Sequence, residues 1–466
     1  MSADFTGGAE QDLAARTVEL VRRAAGPAAQ AEVFTDRVAQ ALTRFANSAI
    51  HQNVADTTVT VRLRLHLDGR TVTGSTTVVD EAGLRGLVDR VIAAVRVCPP
   101  DPGWPGLTPP APITAPGRWD EATADASADD RAARVRAFVD AAGGLETAGY
   151  CRTRNWSAAF VNSAGQAVTG RTVATAMDGV ARGGGADGVA RLASGRLADV
   201  DGAVLGARAA AKARAGVDPV ELPPDRYEVV LEPTAVADVL HNLALWGFNG
   251  RMVGERRSFA EPGKPQFDPT ITLVDDAAGG LGLPFDFEGT PRTALTLVDA
   301  GRTTAVTHDR RTAAGAGTTS TGHAPPADNP WGPAPNNLGL VPAPGPGSAP
   351  AEVSGPAVDA DTADLVSRVE RGLLITDFWY TRVLDPRSLV MTGLTRNGVW
   401  LIEDGAVTGP VRNLRFTQSY PQALAPGAVL GLGRRATLLP DSWNPSTWSA
   451  PAVRLASWNF TGGASG

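Results

Sequence analysis

The chain has 466 residues, too many for one typical core, so two or three domains are expected. Its 43% hydrophobic and 20% charged residues describe a folded globular chain and exclude a disordered one. A net charge of -6 argues against nucleic acid as a partner, because phosphate binding needs a basic surface.

The opening MSADFTGGAEQDLAART carries neither a basic n-region nor an apolar h-region, and no apolar run approaches the roughly 20 residues that span a bilayer. No membrane association is therefore expected. Two cysteines, Cys98 and Cys151, fit a reduced cytoplasm with two buried thiols better than a lone disulfide. With 52 glycines and 35 prolines, many turns and some long loops are expected.

In chain order, Leu13, Val18, Leu20 and Val21 predict a helix over residues 10–25. Val59, Val61, Leu63, Leu65 and Leu67 alternate with polar residues as a strand does, and Asp68-Gly69 supplies a hairpin turn into a second strand. Leu84, Leu87, Val88, Val91 and Val95 form one helical stripe. Residues 98–117 are proline-dense and read as an extended connector. A helix ended by glycine follows over DDRAARVRAFVDAAGG, then short strands and turns over 150–182 with NSAG as a hairpin turn. The spacing yields three segments: an N-terminal α+β domain (1–97), a connector and central region completing that half (98–225), and a β-rich C-terminal domain (226–466). The fold class expected is α+β, the second half being mainly antiparallel and barrel-like with a few helices.

In that second half, Val236, Val239, Leu240 and Leu243 form the buried stripe of a helix with Gly247 as its stop. His241 lies about 100° further round, on the side shared with Asp238 and Leu245. Short strands are expected in PTITLVDD and ALTLVDAGRTTAV, and a helix in DTADLVSRVERGLL. IEDGAV again has the chemistry of a hairpin turn, at Asp404-Gly405. Residues 322–353 form a loop-like tract longer than a bare connector.

Several stretches together are similar to the TldD/PmbA (TldE) family. RFANSAIHQN and LHLDGRTVTGSTTVVDEAGLRGLVDRVIAAVRVCPPDP resemble its N-terminal domain. LEPTAVADVLHNLALWGFNGRMVGERRSF, LPFDFEGTPRTALTLVDAGRTTAVTHDRRTA, TSTGHA, NNLGL, VERGLLITDFWY and NGVWLIEDGAVTGPVRN resemble its C-terminal domain. The resemblance implies a two-component cytoplasmic metallopeptidase. Its TldD-like subunit carries zinc on a His-Glu-x-x-x-His helix plus a later cysteine. The TldE-like subunit lacks these ligands and pairs with it around an enclosed cavity. Substrates associated with the family are small or unfolded peptides, including leader peptides of peptide antibiotics and an antitoxin.

In that resemblance the motif's first His falls on His241, its Glu on Asn242 and its second His on Trp246. A catalytic zinc needs about three protein ligands, an open position and a base for the bound water. Asparagine has no titratable carboxylate, and indole nitrogen only donates. No cysteine follows Cys151. The resemblance therefore implies no metal or cofactor in this chain, with zinc in a TldD-like partner, and an ordinary packed or hydrogen-bonded role for His241.

Asp286 and Glu288 are paired carboxylates, usable for acid/base work but more commonly solvated acids at a turn. The family's similar Asp-x-Glu-Gly segment lies near its active cavity. That makes Asp286, Glu288, His308, Arg310 and His323 candidate cavity-lining residues. Ser320, Thr321 and His323 lack a third orienting group, and Arg310-Arg311 reads as a surface basic pair able to bind a carboxylate. The function expected is a catalytically silent subunit that pairs with a TldD-like one and helps hold peptides for it. The rivals are a stand-alone hydrolase with a site relocated to His308, His323, Asp286 and Glu288, and a homodimeric peptide-binding module.

Overall fold

The computed structural model describes residues 5–277, 279–345, 357–441 and 446–463. The first half is one antiparallel six-stranded sheet under four main helices. Its strands are β1 (Gln30–Ala46), β2 (Ala49–Leu67), β3 (Arg70–Thr76), β4 (Glu146–Asn162), β5 (Ala167–Gly183) and β6 (Ala186–Ser194), in the order β3-β2-β1-β4-β5-β6. Asp68 and Gly69 take φ of 49° and 72°, the left-handed pair that a tight hairpin between β2 and β3 requires. Residues 150–182, expected as short strands, instead belong to the 17-residue strands β4 and β5, joined at the expected NSAG turn. Each pairs along most of its length with its neighbours, which is what sustains strands so long.

Helices α1 (Gly8–Ala25) and α2 (Glu81–Val95) cover one face of this sheet, and α4 (Ala128–Ala141) and α5 (Gly202–Ala215) cover it further along; α3 (Glu121–Ala124) is a single turn. Asp80 caps α2 through the Gly83 N–H at 2.7 Å, and Ser127 with Asp130 forms a capping box on α4. Strand alternation then decides what faces what. Val33, Val61, Leu63 and Leu65 point to the helices. Phe34, Trp156 and Phe160 point the other way, onto Leu283, Phe285 and Phe287 of the second half. This sheet is therefore covered on both faces, and its polar partners are not simply solvated.

The second half opens with β7 (Arg226–Leu231), α6 (Pro233–Asn242) and α7 (Gly250–Gly254). Short strands β8 (Leu273–Asp275), β9 (Leu295–Asp299), β10 (Arg302–Thr303) and β11 (Leu338–Leu340) follow, with α8 (Arg310–Ala316) and α9 (Ala360–Val366). Then come β12 (Arg371–Asp385), β13 (Val390–Glu403), β14 (Ala406–Pro410), β15 (Leu414–Ser419), β16 (Val429–Leu432), β17 (Thr437–Pro440), β18 (Thr447–Ala450) and β19 (Val453–Gly463). Strands β7, β19, β15, β13 and β12 close on one another as a five-stranded barrel. A mixed sheet, β10-β9-β8-β11-β18-β17, lies beside it. The barrel is filled by Leu231, Ile375, Phe378, Phe416, Trp458 and Phe460 among others, each such burial contributing roughly 1.5–3 kcal/mol. The architecture is the α+β plan with a mainly antiparallel, barrel-bearing second half.

The helix expected over 361–374 ends at Val366. From Arg371 the chain is β12, where Leu373, Leu374 and Ile375 are buried on both sides beside the parallel strand β7. A continuous apolar run suits a strand covered on both faces as well as a helix, and here length and Gly372 favour the strand. Residues 322–345 hold only β11 as regular structure; 346–353 of that tract lie outside the described residues. Both cysteines are free; Cys151 is buried, but Cys98, expected buried, is half-buried. No helix among the described residues is long and apolar enough to cross a membrane.

Candidate functional site

Helix α6 begins with Pro233, whose missing N–H costs nothing in the first turn. Val236, Val239, Leu240 and Leu243 are buried in the core, as their spacing requires. After Asn242 the helix does not simply run to Gly247. It widens into a π turn over Leu243–Gly247, with the Phe248 N–H donating to the Leu243 carbonyl at 2.9 Å. Residues five apart on a regular α-helix diverge by about 140°. An i→i+5 turn inserts one residue and lets such a pair return toward a common side. Gly247 serves this turn, since a Cβ there would lie 2.6 Å from the Phe259 ring.

His241 stands just before the π turn. Its Nδ1 meets Asp441 Oδ2 at 2.8 Å, and the same oxygen accepts the Trp448 indole N–H at 3.0 Å. Burial pushes the imidazole toward neutrality, but the hydrogen bond and charge of Asp441, helped by Asp238, outweigh it and raise its pKa. One turn earlier, Asp238 accepts hydrogen bonds from Thr381 Oγ1 at 2.7 Å and Tyr420 OH at 2.8 Å. Burial nevertheless raises the Asp238 carboxyl.

Two cavities meet at this helix. One, of about 400 Å³, is lined by Asp238, His241, Asp377, Trp379, Tyr380 and Asp441. The other, of about 640 Å³, lies between the first sheet and the second half and is lined by Arg62, Arg154, Trp156, Asp286, His323 and Trp331 among others. His241 and Trp448 line both. The cavities are therefore separated by a wall that carries a proton-binding imidazole.

A family model for the PmbA/TldA metallopeptidase C-terminal domain matches residues 224–462, just over half of the chain. The chain belongs to the TldD/PmbA family. Its fold is that of a proposed modulator of a DNA gyrase from Thermotoga maritima (TM-score 0.79, 16% identity, covering 97% of this chain and 100% of that one). It is equally that of TldE from Thermococcus kodakarensis (TM-score 0.82, 18% identity, 95% and 99% covered). A proposed modulator of DNA gyrase from Bacteroides thetaiotaomicron is similar too (TM-score 0.76, 17% identity, 98% and 99% covered). At these identities the likeness is one of fold. No curated protein sequence matches the chain.

Two of the residues that the resemblance sets against a zinc motif, Asn242 and Trp246, have other engagements. Asn242 turns its Nδ2 toward the Asp238 carbonyl at 2.9 Å and the Asp238 carboxylate at 3.3 Å, so its amide is spent on its own helix. Trp246 packs edge-on against Trp331, ring centres 5.5 Å apart. Among the described residues no group of three His, Cys, Asp or Glu side chains is placed to hold a metal ion. These residues do not fit a zinc centre.

The remaining TldD/PmbA candidates scatter. Asp286 and His323 line the larger cavity. Asp286 is buried rather than solvated; it accepts the N–H groups of Glu288, Thr290 and Ala324, and burial beside Glu288 pushes its carboxyl up to about 7. Glu288 faces the other way, into a buried ion network. It takes Arg64 Nη2 at 2.9 Å and the Arg310 N–H at 2.9 Å, while Glu32 takes Arg64 Nε at 2.6 Å and the other arm of Arg310. Arg310 is thus no surface cation, whereas Arg311 pairs at the surface with Asp101 at 2.7 Å. His323 is fully enclosed between Asp275 and Thr321, and burial holds it below the ordinary histidine range. His308 contacts Thr312 Oγ1 at 3.2 Å. Asp441, Trp448 and Arg154 escaped the sequence reading, because nothing in their local pattern says that α6, the strand β4 and the segment at β18 converge.

Proposed function

We propose that this chain is a TldE-like subunit without a metal of its own, pairing with a zinc-bearing TldD-like subunit and holding peptides for it in the cavities around His241. The observation that carries this reading is the commitment of Asn242 to a hydrogen bond within its own helix and of Trp246 to an aromatic edge against Trp331. Neither side chain offers the base or the second ligand that a zinc helix needs, and His241, its Nδ1 held by Asp441, offers one ring nitrogen by itself. The π turn after Asn242 adds support, since a His pair five residues apart needs such a turn to share one side of a helix. The larger cavity, walled by aromatic side chains, is of a size that suits a short peptide segment.

The test is to purify this protein alone, purify a TldD-like homologue bearing the intact motif, and mix them. The expected result is no chelator-sensitive peptide cleavage by the single subunit, cleavage by the mixture, and one zinc per complex traced to the other subunit. Chelator-sensitive cleavage by the single subunit with stoichiometric zinc overturns the reading.

A further inference from the structure

The larger cavity is lined by a cation whose side chain makes no ion pair among the described residues. Arg62 gives Nη1 to Asp36 at 2.6 Å, and Arg292 gives Nη2 to Asp275 at 2.8 Å. Asp36 spends its second oxygen on the Trp156 indole at 3.2 Å. The side chain of Arg154, on β4, makes no hydrogen bond or ion pair among the described residues. Its guanidinium lies over the Trp156 ring at 4.3 Å and lines the cavity. Arg154 is half-buried; burial, the largest influence, pushes it down to about 10 although Asp36 pulls the other way. A guanidinium held over an aromatic ring beside a cavity, with its N–H groups not taken by another side chain, is free to donate to a ligand.

We infer that Arg154 is the anchor for a carboxylate, borne by a peptide segment whose apolar side chain rests against the aromatic walls of this cavity. The guanidinium fork matches a carboxylate with two parallel hydrogen bonds. Trp156, Phe285, Phe287, Trp331 and Trp448 supply the apolar surface beside it. His241 stands on the same wall with Nδ1 taken by Asp441, which leaves Nε2 as its remaining ring nitrogen. One cation without an ion-pair partner among the described residues suits a single carboxylate better than a multiply charged phosphate. Two sources can supply that carboxylate, the C-terminus of a peptide or an acidic side chain within it. This inference rests on the peptide-holding reading above and adds the chemical group that the cavity selects.

The experiment compares three fluorescent hexapeptides of one apolar-aromatic sequence on the full-length protein: the free acid, the C-terminal amide, and an amide with one internal Glu. Titrations are repeated on Arg154→Met and Arg154→Lys, each checked by circular dichroism. The free acid is expected to bind about tenfold or more tightly than the amide. Arg154→Met removes that preference and Arg154→Lys keeps part of it. If the Glu-bearing amide matches the free acid, a side-chain carboxylate serves as well; if it matches the plain amide, the peptide terminus is the ligand. Equal binding of all three peptides to the unaltered protein overturns the carboxylate anchor while leaving peptide holding intact. Failure of all three to bind overturns both. Because the ligand series is read on the unaltered protein, misfolding of a variant does not remove the test.

Discussion

His241 and Asp441 lie 200 residues apart in sequence and meet at 2.8 Å, Nδ1 to Oδ2. The pairing fixes which ring nitrogen is engaged and leaves the other on the wall between two cavities. Its consequence is measurable. The folded pKa of His241 is raised above the ordinary histidine value near 6.5. Its contribution to stability is therefore complete below about pH 6.5 and is lost as pH rises through the raised folded value. In an NMR titration the His241 ring protons should show a midpoint above that of an exposed histidine. Asp441→Asn should bring it down, because burial then acts with less opposition. An unchanged midpoint in the variant refutes the coupling.

Restoring the family acid by Asn242→Glu should destabilise the protein. The substitution replaces an amide donor, 2.9 Å from the Asp238 carbonyl, with a carboxylate beside another buried carboxyl. A loss of about 2 kcal/mol or more is expected at pH 8. The loss should shrink at pH 5, since Asp238 holds its proton more readily than an ordinary aspartate. Urea unfolding at the two pH values decides it, and an equal loss at both would count against the contact.

Arg310 ties the halves together by bonding Glu32 of β1 and Glu288 of the second half. Arg310→Ala leaves two buried carboxylates short of a partner, and a loss of about 3–5 kcal/mol is expected by analogy with other broken buried pairs. A change within about 1 kcal/mol in denaturant titration would show the network to be solvated instead.

The two thiols should separate cleanly. Burial holds Cys151 up to about 11, while Cys98 is half-buried with its Sγ 3.4 Å from the Val95 carbonyl. A thiol reagent at pH 8 should label Cys98 first and Cys151 only on unfolding. Labelling of Cys151 at a comparable rate in the native protein would contradict its placement.

Local periodicity revealed most elements where one face is buried and the other is not. The stripe of α2 and the alternation of β2 are examples. It failed at 371–374, where the expected helix is strand, because β12 is covered on both faces and loses its period of two. Arg62 and Arg64 are among the polar residues that alternate along β2, and their side is roofed by the second half. Arg62 faces a cavity, and Arg64 enters the Glu32–Glu288–Arg310 network. A strand's pattern reports that its two sides differ, and leaves open what covers the polar one.

By itself the sequence determined the helical and strand segments with one-sided burial, the hairpin turns at Asp68-Gly69 and Asp404-Gly405, and the chemical poverty of the stretch from His241 to Trp246 as a zinc motif. Those properties are local: rotamer, turn and ligand chemistry depend on residue type and near spacing. Only the tertiary structure decided that His241 meets Asp441, that Asp286 and Glu288 face different surroundings, and that Arg154 lies on Trp156 beside a cavity with no ion pair among the described residues. Each depends on segments far apart in sequence being brought within hydrogen-bond distance, or failing to be. That is set by how the two halves pack, for which a single strand or helix carries no record.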